Sequence, residues 1–356
     1  MADTNYGVNH PLAVKVWSRK LIHEALKETW FNRFVGSDSN SVVQMKNDLE
    51  KGPGDRIRVG LRMLLNGDGV LGDNTLEGSE ESLTTYYDDL LIDQLRHAVR
   101  SRGKMSEQRV PFSVREEARL GLTDWWSDRL DTMFFNQLTG NTNVSDLRYT
   151  GMNATVAPTS VIYGNSDVCS TAASLSASTT FALSLHDFDR AVALAKTRSP
   201  MIRPIKQGGD SYYVAFLHPF AVFLLRNQSN NGVLWGDIEK AKIQGGKESG
   251  IFTGAIGVYN NVIFHEAVRL PDMTGIGTPN SGATTDYRRA VLCGAQAMIM
   301  GYGQEGGSSV SWTEELFDYK NKLGVEAGMI FGMKKSQYNA TDYGVITLVG
   351  YAPVIS

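Results

Sequence analysis

The stretch of the chain richest in potential metal ligands is residues 66–83, NGDGVLGDNTLEGSEESL, in which Gly, Asn, Asp and Glu predominate. An EF-hand calcium loop requires oxygen ligands at positions 1, 3 and 5, a Gly at position 6 and a bidentate Glu at position 12. Counted from the first residue of the stretch, Asp68 and Glu77 stand at positions 3 and 12, but Val70 and Leu71 stand at positions 5 and 6. We therefore favour a solvated turn over a calcium site, because Gly, Asn and Asp tolerate positive φ and favour turns.

Other motifs that could support catalysis are incomplete. HEAVR, which begins at His265, has Arg269 where a zinc-protease helix needs its second imidazole. KIQGGKES around Lys247 resembles a phosphate-binding loop, but it lacks the leading Gly and has Glu248 where a magnesium-binding hydroxyl belongs. No G-x-S-x-G nucleophile elbow occurs, and the six histidines are scattered along the chain. The sequence therefore predicts no enzyme, no metal and no cofactor.

Composition narrows the class of protein. The chain has 356 residues, 42% apolar and 21% charged, which is typical of a soluble globular protein with a sizeable core. Its net charge of −3 gives no electrostatic reason for tight nucleic-acid binding. Cys169 and Cys293 lie far apart, which argues against a disulfide framework. No apolar run reaches the roughly 18 residues of a membrane span, and no signal peptide is evident.

The N-terminal part contains an amphipathic stripe. In residues 11–34, apolar side chains recur about every four residues, Trp17 and Trp30 among them, which predicts a helix. These aromatic residues must be buried against something. Packing on the same domain and packing on a neighbouring subunit are both open.

A change of period follows. In DRIRVGLRML, apolar residues alternate with Arg or Gly, which predicts a half-buried strand. The apolar residues are Ile57, Val59, Leu61 and Met63, and the others are Arg56, Arg58, Gly60 and Arg62. Residues 83–99, LTTYYDDLLIDQLRHAV, are interpreted as the returning strand. The two strands form a long hairpin with an acidic tip, and we expect it to lie on another surface because an isolated hairpin is marginal in water.

The longest predicted element is a helix over residues 113–139. Ser113 and Glu116 form a capping-box pattern, Gly140 ends the segment, and apolar residues recur every four positions. About 27 residues at 1.5 Å each span roughly 40 Å. Its Trp and Phe residues are interpreted as core. Residues 141–180 are interpreted as a surface loop or small insertion, and Asn260 and Asn261 as the turn of a later hairpin.

Four segments together resemble one protein family. They are AVKVWSRKLIHEALKETWFNRFVG, KGPGDRIRVGLRMLLNGDGVLGDNTLEGSEESL, MIRPIKQGGDSYYVAFLHP and GMIFGMKKSQYNATDYGVITLVGYA. They resemble, in order, blocks of a major capsid protein family of tailed bacteriophages typified by podophage N-four, whose members have the Hong Kong 97 type of capsid fold. The most specific piece is G-x-G-V-x-G-D-x-x-L-E-G-x-E-E, from Gly67 to Glu81.

The resemblance implies an α+β fold of defined parts. These are an N-terminal arm (1–52), an extended hairpin loop or E-loop (53–100), a peripheral domain (101–185) with the spine helix 113–139, an axial domain (186–314) and a return to the peripheral domain (315–356). The tip of the extended loop is then expected to reach over an adjacent subunit.

The function implied is that of a coat protein whose copies form pentamers and hexamers of an icosahedral shell around phage double-stranded DNA, with portal and scaffolding proteins as further partners and no membrane. Assembly is expected in the bacterial host cytoplasm, and the final location in the virion. Candidate intersubunit contacts are Arg56, Arg58, Arg62, Asp68, Asp73, Glu77, Glu80, Glu81, Trp17 and Trp30. The alternatives are an encapsulin-like nanocompartment shell around a protein cargo, a soluble hydrolase, and a calcium-dependent adhesin or tail component.

Overall fold

The computed structural model describes residues 29–46, 54–63, 65, 67–109, 113–227, 254–303 and 310–355. Most of the helix predicted for residues 11–34, with Trp17, lies outside the described residues. Its C-terminal end is described, and there Trp30–Phe34 form a 3-10 helix.

The described residues contain four α-helices and a larger number of strands. The helices are α1 Lys104–Gln108, α2 Val114–Thr139, α3 Leu185–Thr197 and α4 Pro219–Asn227. In chain order the strands are β1 Val35–Gly36, β2 Val43–Lys46, β3 Arg56–Arg62, β4 Thr85–Leu91, β5 Asp93–Arg100, β6 Val161–Tyr163, β7 Ile205–Gln207, β8 Asp210–Leu217, β9 Ala255–Tyr259, β10 Val262–Glu266, β11 Tyr287–Cys293, β12 Met298–Tyr302, β13 Val310–Phe317, β14 Lys322–Lys335, β15 Gln337–Tyr338, β16 Thr341–Asp342 and β17 Val345–Tyr351.

One sheet of six strands is organised around β14. Its order is β1-β2-β12-β14-β13, and β5 pairs with β14 as well. β14 is long enough to pair with three strands, since β12 lies opposite Phe331 to Lys335, β13 opposite Lys322 to Met329, and β5 opposite Gly324 to Phe331. This sheet therefore joins segments from the N-terminal, middle and C-terminal parts of the chain.

A second sheet has seven strands in the order β6-β17-β11-β8-β10-β9, with β7 paired to β8. The apolar run of β8 from Tyr213 to Leu217 is entirely buried, as expected of a central strand that is covered on both faces. β9 and β10 form the predicted hairpin, and Asn260 and Asn261 at its turn have φ of 44° and 61°. The turn prediction is therefore confirmed.

The two strands at the C-terminal end enter different sheets. β14 lies in the six-stranded sheet, and β17 pairs with β11 and β6 in the seven-stranded sheet. The short hairpin β15–β16 connects them, and Asn339 and Ala340 at its turn have φ of 51° and 55°. Residues 315–356 thus contribute to both sheets.

Helix α2 confirms the helix predicted over residues 113–139 and its ends. The Ser113 side chain accepts a hydrogen bond from the Glu116 N–H at 3.5 Å, and Gly140 ends the helix with φ of 62°. The apolar stripe is buried, and from Met133 to Thr139 every residue is buried. At 26 residues the helix spans about 39 Å. Phe134 stacks on Phe31 at 4.6 Å, and the apolar stripe of α2 belongs to the largest apolar cluster of the described residues.

A buried arginine fixes the C-terminal end of α2. Arg289 is 0% exposed, and its guanidinium donates to the carbonyl oxygens of Asp272 (2.7 Å), Thr139 (3.0 Å) and Thr274. Burial lowers the pKa of Arg289 to about 10. The side chain thereby satisfies a terminal carbonyl of the helix and ties the helix to residues 272–274.

Two features differ from the sequence-based interpretation. The returning strand was predicted as one strand over residues 83–99, but it is divided at Ile92 into β4, which pairs with β3, and β5, which pairs with β14. Gly332 makes room for this corner, because a Cβ there would lie 2.0 Å from the Leu91 carbonyl oxygen. Residues 141–180 were interpreted as a surface loop or small insertion, and the segment is not all at the surface, since Thr150, Asn153, Cys169 and Leu175 are buried.

The two cysteines form no disulfide with each other. Cys169 and Cys293 are free, and they lie in separate apolar clusters. Within the described ranges, the structure has no helix that is both long and apolar enough to cross a membrane.

Candidate functional site

The hairpin of β3 and β4 carries the long, exposed, acidic segment of the chain at its tip. The two strands pair from Arg56↔Leu91 at the base to Arg62↔Thr85 near the tip. The alternation predicted for β3 is confirmed, since Ile57 is buried, Val59 and Leu61 are half-buried, and the residues between and beside them are exposed. Burial of the inner face falls from base to tip, so the hairpin leaves the body of the protein as it extends.

An apolar contact holds the hairpin base against the six-stranded sheet. Ile57 and Leu90 form a small buried cluster with Ile299 of β12. The close approach depends on Gly301, because a Cβ on this residue would lie 2.7 Å from Ile57 Cδ1 and 3.0 Å from Leu90 Cδ2. Any side chain at position 301 would therefore displace the base.

A charged contact reinforces the base. The Lys334 ammonium binds the Asp88 carboxylate and donates to the Asp89 carbonyl oxygen at 3.1 Å. Asp88 is 8% exposed, and its second oxygen accepts from the Gln337 N–H at 3.1 Å. Burial of a carboxylate removes its hydration, and these donors offset that loss.

Asn153 fastens the end of β4 in the same way that a neighbouring strand would. Its side-chain oxygen accepts from the Leu91 N–H at 3.0 Å, and its side-chain amide donates to the Leu91 carbonyl oxygen at 2.9 Å. The same amide lies 3.3 Å from the Met333 carbonyl oxygen of β14. Residue 153 thus joins the hairpin to the sheet from within the region that was interpreted as a surface loop.

On the outer face, Arg58 forms a bidentate ion pair with Asp89. Nε lies 2.7 Å from one carboxylate oxygen and Nη2 lies 2.8 Å from the other, while the guanidinium lies 4.3 Å above the Tyr87 ring. The hydrogen bond from Arg58 lowers the pKa of Asp89 below its ordinary value. Both side chains are partly or largely exposed, so the pair orders the hairpin surface more than it stabilises the fold.

The tip of the hairpin projects into solvent. Every residue from 71 to 85 is exposed, and Gly69, Gly72 and Gly78 have positive φ. Two carboxylates fold back on the tip backbone, since Glu81 accepts from the Gly67 N–H at 2.6 Å and Glu80 accepts from the Gly78 N–H at 2.7 Å. Across the described residues, no group of three or more His, Cys, Asp and Glu side chains is placed to hold a metal ion.

The predicted contact residues that the structure describes lie either on the exposed hairpin or, for Trp30, against the core. On the outer face of β3 and on the tip are Arg56, Arg58, Arg62, Asp68, Asp73, Glu77, Glu80 and Glu81, all exposed. Trp30 is different. Its ring packs against Phe34, Phe135 and Phe216 at 5.4 to 5.5 Å, and its backbone N–H donates to the Asp131 carboxylate of α2 at 3.1 Å. Trp30 is half-buried and packs against the apolar core of its own chain, and a contact of its exposed part with a neighbouring subunit stays a prediction.

Sequence reasoning missed the apolar part of the tip. Leu71 is 84% exposed, and Leu65, Leu76 and Leu83 are about 60% exposed. Exposure of large apolar side chains to water is unfavourable, so these leucines are candidates for burial against another surface. One feature of the sequence could have revealed these residues. Leu recurs within the acidic, Gly-rich segment, although a solvated turn does not require apolar side chains.

Known proteins resemble this chain over nearly its whole length. A model of the phage capsid protein family matches residues 5–354. The major capsid protein of Pseudomonas phage KPP25 is 29% identical over 379 residues, covering 94% of this chain and 93% of that protein. The capsid of Ralstonia phage GP4 has 30% sequence identity and a TM-score of 0.80, with all of both chains covered. The capsid of cyanophage Pam1 has 20% identity and a TM-score of 0.73, again with full coverage.

These similarities decide between the alternatives. The family is a structural one and not a class of enzymes, which disfavours the hydrolase. The encapsulin-like alternative is not favoured either, because the family model and these relatives are phage capsid proteins. The exposed hairpin is the kind of feature that a subunit of a lattice requires. The chain therefore belongs to the phage capsid protein family, and it is the major capsid protein of a phage.

Proposed function

We propose that this chain forms an icosahedral shell around phage double-stranded DNA, through a Hong Kong 97-like fold of the N-four type. Residues 1–52 would serve as the arm, 53–100 as the extended loop, 101–185 as the peripheral domain, 186–314 as the axial domain and 315–356 as the return. The spine α2, the projecting hairpin and the 30% identity to the capsid of Ralstonia phage GP4 support this assignment.

In this proposal the hairpin tip makes the contact with the adjacent subunit. The single observation that carries it is the unbroken exposure of residues 71–85 on a hairpin whose base is held by Ile57, Leu90 and Lys334. A firmly anchored element with an exposed acidic and leucine-bearing tip fits a partner surface better than it fits water. Arg56, Arg58 and Arg62 on the outer face then supply further charged contacts, each weak but repeated over the lattice.

An icosahedral shell implies the partners of this chain. Copies of this chain would occupy pentamers and hexamers, with portal and scaffolding proteins, and assembly would take place in the bacterial host cytoplasm. A net charge of −3 supports a container that does not bind its DNA tightly.

Deletion of residues 66–80 tests the role of the tip. We expect a soluble subunit with unchanged circular dichroism that forms no closed shells in negative-stain microscopy, because the base contacts remain and the contact with the neighbour is lost. A second variant, in which a Gly/Ser segment of equal length replaces these residues, separates the chemistry of the tip from its length. Normal shells from both variants would refute the proposed role.

A further inference from the structure

Strand β5 has one edge that no other described strand covers. Among the described strands, β5 pairs with β14 alone. Just past its end, the Ser101 N–H donates to the Leu323 carbonyl oxygen at 2.8 Å, so the odd-numbered residues of β5 direct their backbone groups toward β14. The even-numbered residues Arg96, Ala98 and Arg100 therefore direct their N–H and C=O groups to the opposite side. We call this side of β5 the open edge.

The backbone groups of the open edge are available to a further strand. From Arg96 to Arg100 every residue is exposed. The outward N–H and C=O groups of Arg96, Ala98 and Arg100 have no hydrogen-bond partner among the described residues. At the start of β5, by contrast, the Gln94 N–H donates to the Asp93 carboxylate at 2.7 Å. An exposed row of unpaired backbone groups is a template for the addition of a strand.

The side chains beside the open edge form two different faces, because neighbouring residues of a strand point to opposite sides of the sheet. Arg96 and Arg100 lie on one face. His97 and Val99 lie on the other, where the His97 ring stacks on Trp125 of α2 at 4.4 Å and Val99 is 37% exposed. A strand laid along this edge would therefore meet cations on one face and rings and apolar groups on the other.

The carboxylates near the arginines do not neutralise them. Arg96 lies 3.6 Å from Glu326, and both side chains are in contact with water, so this ion pair is weak. In the part of the chain that the structure describes, Arg100 has no carboxylate at ion-pair distance. Asp318, which is influenced by the charge of Arg100, forms its ion pair with Lys322 at 3.3 Å. The arginine face of the edge therefore keeps a positive charge.

This charge decides which kind of strand the open edge can accept. Residues 94–105 carry four Lys or Arg residues and no Asp or Glu. If the same edge of two copies met, like charges would face one another, which destabilises a strand pair. Opposite charges in the same positions stabilise it. The open edge is thus suited to an acidic strand and protected against pairing with itself.

Two other anions fit the open edge less well. Residues 67–83 of the hairpin tip carry five Asp or Glu residues, but they include four glycines, of which Gly69, Gly72 and Gly78 have positive φ. Glycine and positive φ are both unfavourable in a strand. Double-stranded DNA presents phosphates to a protein, and it has no alternating row of amide donors and acceptors.

We propose that the open edge of β5 binds an extended segment of a partner protein, in which Asp or Glu alternates with apolar residues. Backbone hydrogen bonds to Arg96, Ala98 and Arg100 add the segment to the sheet. Its acidic side chains lie beside the two arginines, and its apolar side chains lie beside His97 and Val99. The inference concerns a partner other than this chain, so it does not depend on the contact proposed for the hairpin tip.

Peptide binding to the purified, unassembled full-length chain tests the proposal. The probe is a short fluorescent peptide in which Glu and Val alternate, and binding is measured by fluorescence anisotropy. A second peptide has the same composition with all its Glu residues at one end, and a third alternates Lys and Val. Unlabelled double-stranded DNA serves as a competitor.

Two variants separate the backbone contribution from the charge. Ala98→Pro removes an outward N–H, and proline is tolerated on an edge strand where the N–H faces solvent. Arg96→Glu with Arg100→Glu reverses the charge and keeps the backbone. The matched control is Lys196→Glu with Lys206→Glu, which reverses two exposed cations elsewhere on the surface. Circular dichroism checks the fold of each variant, and the arginine variant tests the proposal even where Ala98→Pro does not fold.

We expect Ala98→Pro and the arginine variant each to weaken binding of the alternating Glu and Val peptide about tenfold or more. The arginine variant should bind the Lys and Val peptide instead, and the control should bind as the wild-type chain does. The peptide with grouped Glu residues should bind more weakly than the alternating one. Absence of binding to the wild-type chain, or unchanged binding to the arginine variant, would overturn the proposal. Binding that folded Ala98→Pro leaves unchanged and that DNA displaces would assign the arginines to nucleic acid instead.

Discussion

Replacing Lys334 by methionine tests how firmly the hairpin is held to the body of the protein. The ammonium of Lys334 makes two contacts, one to the Asp88 carboxylate and one to the Asp89 carbonyl oxygen. Methionine keeps most of the length of the side chain and removes both contacts. Asp88, 8% exposed, then keeps the Gln337 N–H as its remaining described donor, and a buried carboxylate with a missing counter-charge is destabilising.

The expected magnitude follows from the burial of the pair. A hydrogen bond to a charged group contributes about 1.5 to 3 kcal/mol, and breaking a fully buried ion pair costs about 3 to 5 kcal/mol. The side chains of Lys334 and Asp88 are 20% and 8% exposed, so the pair is close to buried but not fully so. We therefore expect Lys334→Met to lower the free energy of unfolding by about 2 to 4 kcal/mol.

Urea unfolding of the purified full chain measures the global effect, and hydrogen exchange of the β3 and β4 amides measures the local one. The matched control is Lys322→Met, because Lys322 pairs with Asp318 at the surface and its loss should cost under about 1 kcal/mol. The double variant Lys334→Met with Asp88→Asn should recover part of the loss, since both charges are then removed. The reasoning is wrong if Lys334→Met costs no more than the control, or if the double variant recovers nothing.

Three further predictions concern other contacts. Gly301→Ala should displace Ile57 and Leu90, lower the free energy of unfolding by about 1 to 3 kcal/mol and speed exchange at the hairpin base; unchanged exchange would contradict the packing argument. Arg289→Leu should lower the free energy of unfolding by about 3 kcal/mol in urea titrations, because the carbonyl oxygens of Thr139, which is buried, and of Asp272 and Thr274, which are half-buried, lose this donor. Burial, with a smaller contribution from Arg288, lowers the pKa of His218 from 6.5 to about 4, so the unfolded chain binds the proton first. Stability should therefore fall by up to about 3 kcal/mol as pH drops from 6.5 to 4 and should not fall further through this group below pH 4; His218→Gln should lose this part of the pH dependence, and an unchanged profile would exclude His218 as its source.

The largest elements could be predicted because their signals are local. Ser113, the four-residue stripe and Gly140 define α2 within one segment, and the structure has the helix from Val114 to Thr139. The alternation around Ile57 likewise defines β3, since the side-chain period of a strand is read from neighbouring residues. Asn260 and Asn261 identify their turn because few residues accept positive φ.

The candidate site was predictable only in part. The sequence indicated an exposed acidic tip, and the structure has those carboxylates in solvent. It did not indicate that Trp30 would pack against rings from α2 and β8, because those partners lie about a hundred or more positions away along the chain. Nor did it indicate the leucines of the tip, whose exposure depends on the absence of a packing partner.

By itself, the sequence determined the long helix, the hairpin strands and the charge of the tip, since each depends on residues that are close together in the chain, while the class of the protein followed from the resemblance of four separate segments to one family. Only the tertiary structure decided where strands find their partners. It divided residues 83–99 at Ile92 between the hairpin and β14, and it placed β14 and β17 in different sheets. It also paired Lys334 with Asp88 across 246 positions. Such pairings are selected by the packing of the whole chain, and a local pattern holds no record of a distant partner.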